Sequence, residues 1–228
     1  MRGVPASPCK MWARFPHTGD GWGMQNRREH WDRVYATKGE DTVSWFQERP
    51  ERSLALIKAT GVPKHAPMID VGGGASRLID ALIDAGYTDT TVLDISSAAI
   101  ALAQQRLGRF QDSVDWIDAD VTEWHPKRRY TLWHDRAVFH FLTEERDRAA
   151  YRAALRRAVP LGGHVVVAAF GPDGPQTCSG LPVVRYAAPE IEAAFAGLLS
   201  LVDTAAEDHV TPTGAHQAFM FYRFVRAA

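Results

Sequence analysis

Two spacings of apolar residues divide the chain into elements. The segment 27–35 places Trp31, Val34 and Tyr35 at i, i+3 and i+4, which is typical of one face of an α-helix. A second helix is predicted over 50–61, because it opens on a proline and stops at a glycine. These two helices precede the first strand and form an N-terminal helical arm.

Short apolar, β-branched runs then alternate with helical stripes. Strands are predicted at about 67–72, 90–95, 114–119, 130–133, 164–170, 199–206 and 216–226. Helices are predicted at 76–85, from Ser96 or Ser97 to Gly108, from an N-cap at Thr143 to Arg157, and near 188–196. A loop rich in glycine and proline fills 171–182.

This alternation predicts the fold class. Strands separated by helices form a parallel, doubly wound sheet with helices on both faces. The last two strands differ, because only a short loop through 211–214 separates them and parallel neighbours need a longer crossover. We therefore predict an α/β, Rossmann-like sheet of seven strands, mostly parallel, whose last strand is antiparallel.

The beginning of the chain differs from the rest. It contains three prolines before residue 17 and no periodic apolar face. We expect residues 1–24 to be a flexible extension and residues 25–228 to form a single domain. An organellar transit peptide is the alternative, since three basic residues precede the first acid, Asp20.

Bulk composition narrows the function classes. The chain has 228 residues, 46% of them apolar and 23% charged, and a formal net charge of −1. There is no basic excess and no apolar run near the roughly 20 residues that cross a bilayer, so we expect neither a nucleic-acid partner nor a membrane. Cys9 and Cys178 form no Cys-x-x-Cys pair, which favours the reducing cytoplasm. The histidines lack cysteine partners at zinc-finger spacing, so we expect no metal. None of this sets the oligomeric state.

The segment IDVGGGASRL (69–78) is a strand that ends in an acid and turns through three glycines. Glycines let a ligand lie against bare backbone. A dinucleotide site aims this turn at a pyrophosphate, which Asp70 would repel. S-adenosyl-L-methionine (SAM) instead has an adenosine, a protonated amine and no phosphate. We expect Asp70 to bind its α-ammonium and Gly72, Gly73 and Gly74 to shape the turn and admit its methionine and ribose. An ordinary strand–helix turn is the alternative.

Acids also end the next two strands. Asp94, followed by Ile95, lies about 20 residues beyond the glycines, where a carboxylate can accept both ribose hydroxyls. Asp120 and Val121 end the third strand, where the carboxylate can accept from the adenine amine and the Val121 amide can donate to the ring. Asp118 is the weaker candidate for this role. The alternatives are a solvated acid at Asp94 and a turn residue at Asp120.

With three acids at successive strand ends, the chain resembles the class I SAM-dependent methyltransferases from about residue 25 to its end. The matching segments are IDVGGGASRL (69–78), TVLDIS (91–96), DADV (118–121) and PLGGHVVVAAF (160–170). The resemblance implies SAM as the methyl donor and S-adenosyl-L-homocysteine as its product.

A finer resemblance concerns the arm and the fourth strand. HWDRVY (30–35), followed by WFQ (45–47), looks like the arm of thiopurine methyltransferase-like enzymes, in which two aromatics cover the cofactor. This implies that role for Trp31 and Tyr35, with core packing of the first helix as the alternative. WHDRA (133–137) is similar to that family's Trp-Asp-Arg-Gly-Ala run, whose arginine faces the substrate pocket. His134 and Ala137 depart from it. A group of protein lysine methyltransferases has a similar arm and an Asp-Lys or Asp-Arg pair.

The candidate catalytic residues are Asp135, Arg136 and His140. Arg136 is expected to contact the substrate. Transfer of a sulfonium methyl group requires mainly positioning of the nucleophile, and a weakly acidic nucleophile also needs a base, for which His134, Asp135 or His140 is available. A structural role is the alternative for each histidine. Residues 171–187, which include Cys178, are expected to form a lid or substrate wall.

We therefore predict a SAM-dependent methyltransferase that acts on a sulfur, nitrogen or oxygen nucleophile of a small molecule. The alternatives are a protein lysine N-methyltransferase and a non-catalytic binding module of the same fold. A short-chain nicotinamide oxidoreductase is excluded, because no tyrosine is followed by lysine four residues later. Enzymes that methylate amines of nucleic acids commonly carry Asn/Asp-Pro-Pro-Tyr/Phe after the fourth strand, where this chain has HDRA (134–137).

Overall fold

Nine strands are present in the computed structural model, which describes residues 24–227. They are β1 (Met68–Val71), β2 (Thr90–Asp94), β3 (Val114–Asp118), β4 (Leu132–Arg136), β5 (His164–Phe170), β6 (Thr177–Cys178), β7 (Leu181–Pro182), β8 (Leu199–Val210) and β9 (His216–Arg226). Seven of them form one sheet in the order β3-β2-β1-β4-β5-β9-β8, and β6 and β7 form a separate ribbon.

The helices of this described part are α1 (Met24–Thr37), α2 (Glu51–Ala59), α3 (Leu78–Asp84), α4 (Ser97–Leu107), α5 (Glu145–Ala158) and α6 (Ala188–Ala194). Short 3₁₀ turns cover Gly108–Ser113 and Phe139–Phe141. Ser96 caps α4 as predicted, since its side chain accepts from the amide of Ala99. The expected extension, residues 1–24, lies outside the described residues except for Met24. No helix within 24–227 has both the length and the apolar character needed to span a bilayer.

The predicted fold is confirmed. Strands β1 to β5 pair in parallel, while β9 runs antiparallel between β5 and β8. The short connection between β8 and β9 closes as a hairpin, because the amide of Thr211 donates to the carbonyl of Ala215. The carboxyl ends of the five parallel strands therefore share one edge of the sheet, where such folds bind ligands.

Helices cover both faces of the sheet. Successive side chains of a strand point to opposite faces. On β5, Val165, Val167 and Ala169 pack in one buried cluster with residues of α5 and α6. The intervening residues of β5 pack in a second cluster with residues of α2 and α3. This two-sided burial explains why β5 is apolar along almost its whole length.

Strand β4 differs from the predicted 130–133, because it covers Leu132–Arg136. Its backbone pairs with β1 on one side and with β5 on the other as far as its end. His134 and Asp135 are polar residues that look like a strand end in the sequence. Each finds hydrogen-bond partners inside the fold, so the strand continues through them.

Two further local predictions are wrong. Thr143 does not cap α5, because the N-cap position is Glu144 and no side chain caps this helix end. The loop 171–182 contains the β6–β7 ribbon, which turns through Ser179 and Gly180 at φ of 50° and 78°. Two consecutive positive φ angles make a turn that matches the twist of a hairpin.

Candidate active site

The glycine turn after β1 packs directly against the acids of the site. A Cβ on Gly73 would lie 2.6 Å from Asp70 Oδ2, and a Cβ on Gly74 would lie 2.5 Å from Asp94 Oδ2. Gly72 has a φ of 70°, and a Cβ there would overlap Val138 in the turn after β4. The three glycines thus let the turn approach two carboxylates and a neighbouring loop more closely than any side chain would allow.

Asp94 ends β2 as a buried carboxylate. Its Oδ1 accepts a hydrogen bond of 2.8 Å from the amide of Ser96. Burial, with the nearby charges of Asp70 and Asp118 adding to it, raises the pKa of Asp94 to about 7. Donors that hydrogen-bond to the ionised carboxylate favour that form, so ligand hydroxyls at this site would stabilise it.

Asp120 is held in a turn next to the arm. Its Oδ1 accepts from the Thr122 amide at 2.8 Å and from the Thr122 hydroxyl at 2.7 Å. Its Oδ2 lies 3.1 Å from Arg27 Nη2 but has no hydrogen-bond partner. Arg27 also donates to Asp147 on α5, so one arginine of α1 links the arm to the Asp120 turn and to α5.

Two further contacts fix α1 over the ends of β2 and β3. Asp32 accepts from the hydroxyl of Ser96 at 2.7 Å, and Arg28 forms an ion pair with Asp118. Asp118 is therefore bound to the arm. The arm thereby becomes one wall of the site.

We use the name main cleft for a cavity of about 860 Å³ at this edge of the sheet. Its walls include Asp94, Ile95, Asp120 and Val121, which the sequence predicted as cofactor ligands. Its aromatic walls include Trp31 and Tyr35 of the arm. Trp31 contacts Trp45 and Phe141 edge to face, with ring centroids 5.8 Å and 5.0 Å apart. The two predicted aromatics thus line the cleft together with rings from distant parts of the chain.

An inner cavity of about 560 Å³ adjoins the main cleft and shares four of its lining residues, Tyr35, Trp45, Gly72 and Arg136. Asp70, Gly73, Arg77 and His134 are among its other walls. Arg77 is paired with Glu48 at 2.9 Å, and its buried Nε has no hydrogen-bond partner. The predicted cofactor ligands are therefore divided between two adjoining spaces, except for Gly74, which lines neither.

These residues fit SAM. The main cleft offers a buried carboxylate for ribose hydroxyls at Asp94. For an amine it offers Oδ2 of Asp120, which accepts no hydrogen bond although it lies 3.1 Å from Arg27. The inner cavity offers an acid, Asp70, and a cation, Arg77, for the two ends of an amino acid. Neither cavity is lined by a cluster of basic residues that would suit a diphosphate.

Arg136 lies on the shared wall of the two cavities. Its Nη1 donates to the carbonyl of Trp45 at 3.0 Å, and its guanidinium lies 4.4 Å from the ring centroid of Phe219. Glu207 on β8 is 3.7 Å from Nη2, and neither Nη2 nor Nε has a hydrogen-bond partner. Burial lowers the pKa of Arg136 from its ordinary value. This is a cation with two free donor groups beside the cleft.

The other two candidate catalytic residues lie in the core and line neither cavity. Asp135 accepts from the amides of Val138 and Phe139 and, at 2.7 Å, from the hydroxyl of Tyr151. Burial raises the pKa of Asp135 to about 6. The side chain thus holds the turn that positions Val138 against Gly72.

His140 is fully buried beside Phe170, with ring centroids 4.9 Å apart, and its Nδ1 accepts from the amide of Phe170 at 3.4 Å. Burial, together with the nearby charge of Arg136, lowers the pKa of His140 to about 3. His140 is therefore a neutral residue of the buried core. No group of three or more potential metal ligands occurs within residues 24–227.

Several lining residues were missed by the sequence analysis. Arg27, Trp45 and Phe219 line the main cleft, and Glu207 contacts Arg136. Cys178, predicted in the lid, also lines the cleft, and burial raises the pKa of its thiol. No local motif marks Phe219 or Glu207, because they reach the site only through the register of β8 and β9.

Part of this chain is similar in sequence to known proteins. Residues 68–163 match the family model described as Methyltransferase domain. The chain is 23% identical over 142 residues to the eEF1A lysine and N-terminal methyltransferase of Danio rerio, covering 60% of this chain and 20% of that protein. It is 24% identical over 157 residues to EEF1A lysine methyltransferase 2 of Mus musculus, covering 61% of this chain and 64% of that protein. The chain thus spans less than two thirds of the length of either relative.

A solved structure extends the similarity to almost the whole chain. Burkholderia thailandensis 1,6-didemethyltoxoflavin-N1-methyltransferase, with bound 1,6-didemethyltoxoflavin and S-adenosylhomocysteine, superposes with a TM-score of 0.69 at 17% identity. The match covers 98% of this chain and 100% of that one, and at this identity it shows the fold. Residues 68–163 thus match a methyltransferase domain, and the fold of almost the whole chain is similar to that of a methyltransferase solved with S-adenosylhomocysteine.

Proposed function

We propose that this protein transfers a methyl group from SAM to a sulfur, nitrogen or oxygen nucleophile of a small molecule. The observation that carries the proposal is the placement of Asp70, Asp94 and Asp120 at three strand ends around two adjoining cavities. When bound, SAM supplies an electrophilic methyl group on a sulfonium. The task of the protein is then to hold donor and acceptor in line, which can lower a barrier by roughly 7–11 kcal/mol.

We assign the cofactor-binding roles as follows. Asp94 accepts the ribose hydroxyls, and Asp120 and Val121 bind the adenine. Asp70 binds the α-ammonium in the inner cavity, and Arg77 supplies a cation for the carboxylate. Trp31 and Tyr35 exclude water from the junction of the two cavities and offer ring faces, which attract a cation such as a sulfonium.

The acceptor would lie in the part of the main cleft lined by Arg136, Phe141, Cys178 and Phe219. Two aromatic rings favour a flat or apolar acceptor body. The Nη2 and Nε donors of Arg136, which have no hydrogen-bond partner, favour an acceptor with an anionic or hydrogen-bond-accepting group, because buried donors without an acceptor are costly. A nearby cation also lowers the pKa of a thiol, which favours a sulfur nucleophile.

Asp135 and His140 are assigned positioning roles in this mechanism. Each is fully buried behind the cleft wall and lines neither cavity. The acceptor would therefore be nucleophilic without a protein base, or would lose its proton to solvent. A thiol beside Arg136 meets this requirement better than an alcohol does.

Methylation of a protein lysine is the second candidate. The two similar lysine methyltransferases favour it, and Glu207 beside Arg136 offers a carboxylate near the acceptor space. The buried guanidinium of Arg136 argues for the small molecule, because a lysine ammonium would meet a like charge in a poorly solvated site.

The test is product identification with SAM labelled in its methyl group. The protein is incubated with a panel of small thiols, amines and phenols, and separately with folded lysate proteins. We expect label in a small-molecule product, and loss of that product in Arg136→Met. Label confined to protein lysines would overturn the small-molecule proposal. Failure of the protein to bind SAM by calorimetry would overturn the methyltransferase proposal altogether.

A further inference from the structure

Asp70 is hydrogen-bonded to a histidine on the neighbouring strand. Asp70 on β1 and His134 on β4 are direct partners in the parallel register, and Asp70 Oδ1 lies 2.7 Å from His134 Nδ1. On the far side of the ring, His134 Nε2 lies 2.9 Å from the hydroxyl of Ser53 on α2. All three residues are buried, with at most 3% of the residue surface exposed. They form a continuous chain from α2 to the inner cavity.

The hydrogen-bond roles follow from the chemistry of the three groups. An ionised carboxylate can only accept, so Nδ1 must carry the proton that it shares with Asp70. The hydroxyl of Ser53 is then free to donate to the lone pair on Nε2. With this tautomer every donor meets an acceptor, as buried polar groups require.

The arrangement leaves one oxygen of Asp70 for a ligand. Oδ1 is occupied by His134, and Oδ2 lies against the glycine turn, 2.6 Å from the position of a Cβ on Gly73. The other strand neighbour of Asp70 is Val92, whose side chain has no polar group. His134 is therefore the side chain that fixes which oxygen of Asp70 remains available.

We propose that His134 is a positioning residue for the cofactor's α-ammonium group, and that Ser53 fixes the orientation of its ring. The inference rests on the proposed function. A buried carboxylate is costly without a donor, and His134 supplies one before any ligand arrives. Asp70 is thereby held in one orientation in the empty site, and such preorganisation improves affinity by reducing the ordering needed on binding.

The test uses two substitutions of one residue. His134→Asn places an amide N–H near the position of Nδ1, so it keeps the donor to Asp70, whereas His134→Leu removes it. We expect His134→Leu to raise the Kd for SAM about 10-fold and His134→Asn to raise it less than about 3-fold. Because the ammonium is remote from the transferred methyl group, kcat at saturating SAM should change little in either variant.

The matched control is Thr90→Val on β2. Thr90 is also buried in the sheet, but its hydroxyl has no hydrogen-bond partner. Its replacement should leave the Kd for SAM unchanged. Ser53→Ala keeps the packing and removes only the contact to Nε2, so it serves if His134→Leu fails to fold. We expect it to weaken SAM binding about 3-fold.

A spectroscopic measurement tests the same inference without cofactor. Nitrogen-15 NMR of the free protein should show His134 protonated at Nδ1, and Ser53→Ala should shift its Nε2 resonance. Protonation at Nε2 alone would overturn the inference, as would equal SAM affinity in wild type and His134→Leu, or equal losses in the Leu and Asn variants. A wild-type protein that binds no SAM would instead refute the proposed function.

Discussion

The carboxylate of Asp94 lies in the space that a side chain on Gly74 would need. A Cβ on Gly74 would be 2.5 Å from Asp94 Oδ2 and 3.0 Å from the Cβ of Ala99. The turn after β1 can therefore pack against the end of β2 only because residue 74 has no side chain. Buried in this way, Asp94 has a pKa of about 7, which makes it both a binding group and a source of instability.

Replacing Asp94 should weaken cofactor binding. Asp94→Asn retains an oxygen for the amide of Ser96 but removes the charge that would accept two ribose hydroxyls. We expect the free energy of SAM binding to fall by about 1–3 kcal/mol. Calorimetry would measure this, with Asp89→Asn as the control, because Asp89 precedes the other end of β2, is bound to Arg128 and lines neither cavity. Equal losses in both variants would contradict the ribose assignment.

The same substitution should stabilise the cofactor-free protein at alkaline pH. The folded pKa of about 7 lies above the ordinary value of 3.8, so the folded state binds the proton more tightly between these limits. Stability due to this group is present below about pH 4 and falls as pH rises to about 7, by up to ~1.4 kcal/mol per pH unit.

The unfolding free energy of Asp94→Asn lacks this dependence on pH, because asparagine does not titrate. The melting temperature of the variant should therefore exceed that of wild type by several degrees at pH 8 and differ little from it at pH 4. The comparison of the two proteins at each pH cancels the titration of the groups that do not interact with Asp94. A variant that is less stable than wild type at pH 8 would contradict the raised pKa.

Removing the guanidinium of Arg136 from the acceptor site should impair turnover more than cofactor binding. In Arg136→Met we expect kcat/KM for the acceptor to fall at least about 10-fold, since a charge-assisted hydrogen bond contributes about 1.5–3 kcal/mol. Arg223→Met is the matched control, because Arg223 also lies on a strand of the sheet with a carboxylate 3.7 Å from Nη2. The reverse pattern, lost SAM affinity with normal turnover, would make Arg136 a cofactor ligand.

A side chain on residue 72 should lower the free energy of unfolding for two reasons, because it would strain the backbone and would also clash with Val138. Gly61 has the same φ of 70° but no atom within 4 Å of its added Cβ, whereas Gly72 faces Val138. We expect Gly61→Ala to lose about 1–2 kcal/mol of unfolding free energy from strain alone. Gly72→Ala should lose about 2 kcal/mol more, part of which Val138→Ala restores. Equal losses at the two glycines would show that the turn can move away from Val138.

The hydroxyl of Tyr151 should be more important for stability than that of another buried tyrosine. It donates to Asp135 at 2.7 Å and accepts from Trp133 Nε1 at 2.8 Å, whereas Tyr222 makes one bond, to the carbonyl of Tyr186. Tyr151→Phe leaves Trp133 Nε1 without a partner and removes one of the three donors to Asp135. We therefore expect a loss of about 2–4 kcal/mol in urea unfolding, against about 1–2 kcal/mol for Tyr222→Phe. Full stability of Tyr151→Phe would imply that Asp135 does not need this donor.

Much of the site could be predicted because strand ends are local features. Asp94 and Asp120 each follow an apolar run, and parallel strands bring their carboxyl ends to one edge. The arm aromatics Trp31 and Tyr35 also line the cleft, and their role over the cofactor stays a prediction. Asp135 and His140 were less predictable, because their role depends on which side of β4 and the following turn each side chain faces.

The sequence by itself determined the alternation of strands and helices, the antiparallel end of the sheet and the acids at its edge. These depend on periodicity, turn residues and connection length, which short segments specify. Only the tertiary structure decided that His134 binds Asp70, that Glu207 and Phe219 reach Arg136, and that Asp135 is buried behind the cleft. Such contacts join residues far apart in the chain, and they depend on strand order and register, which are set when the whole sheet packs against its helices.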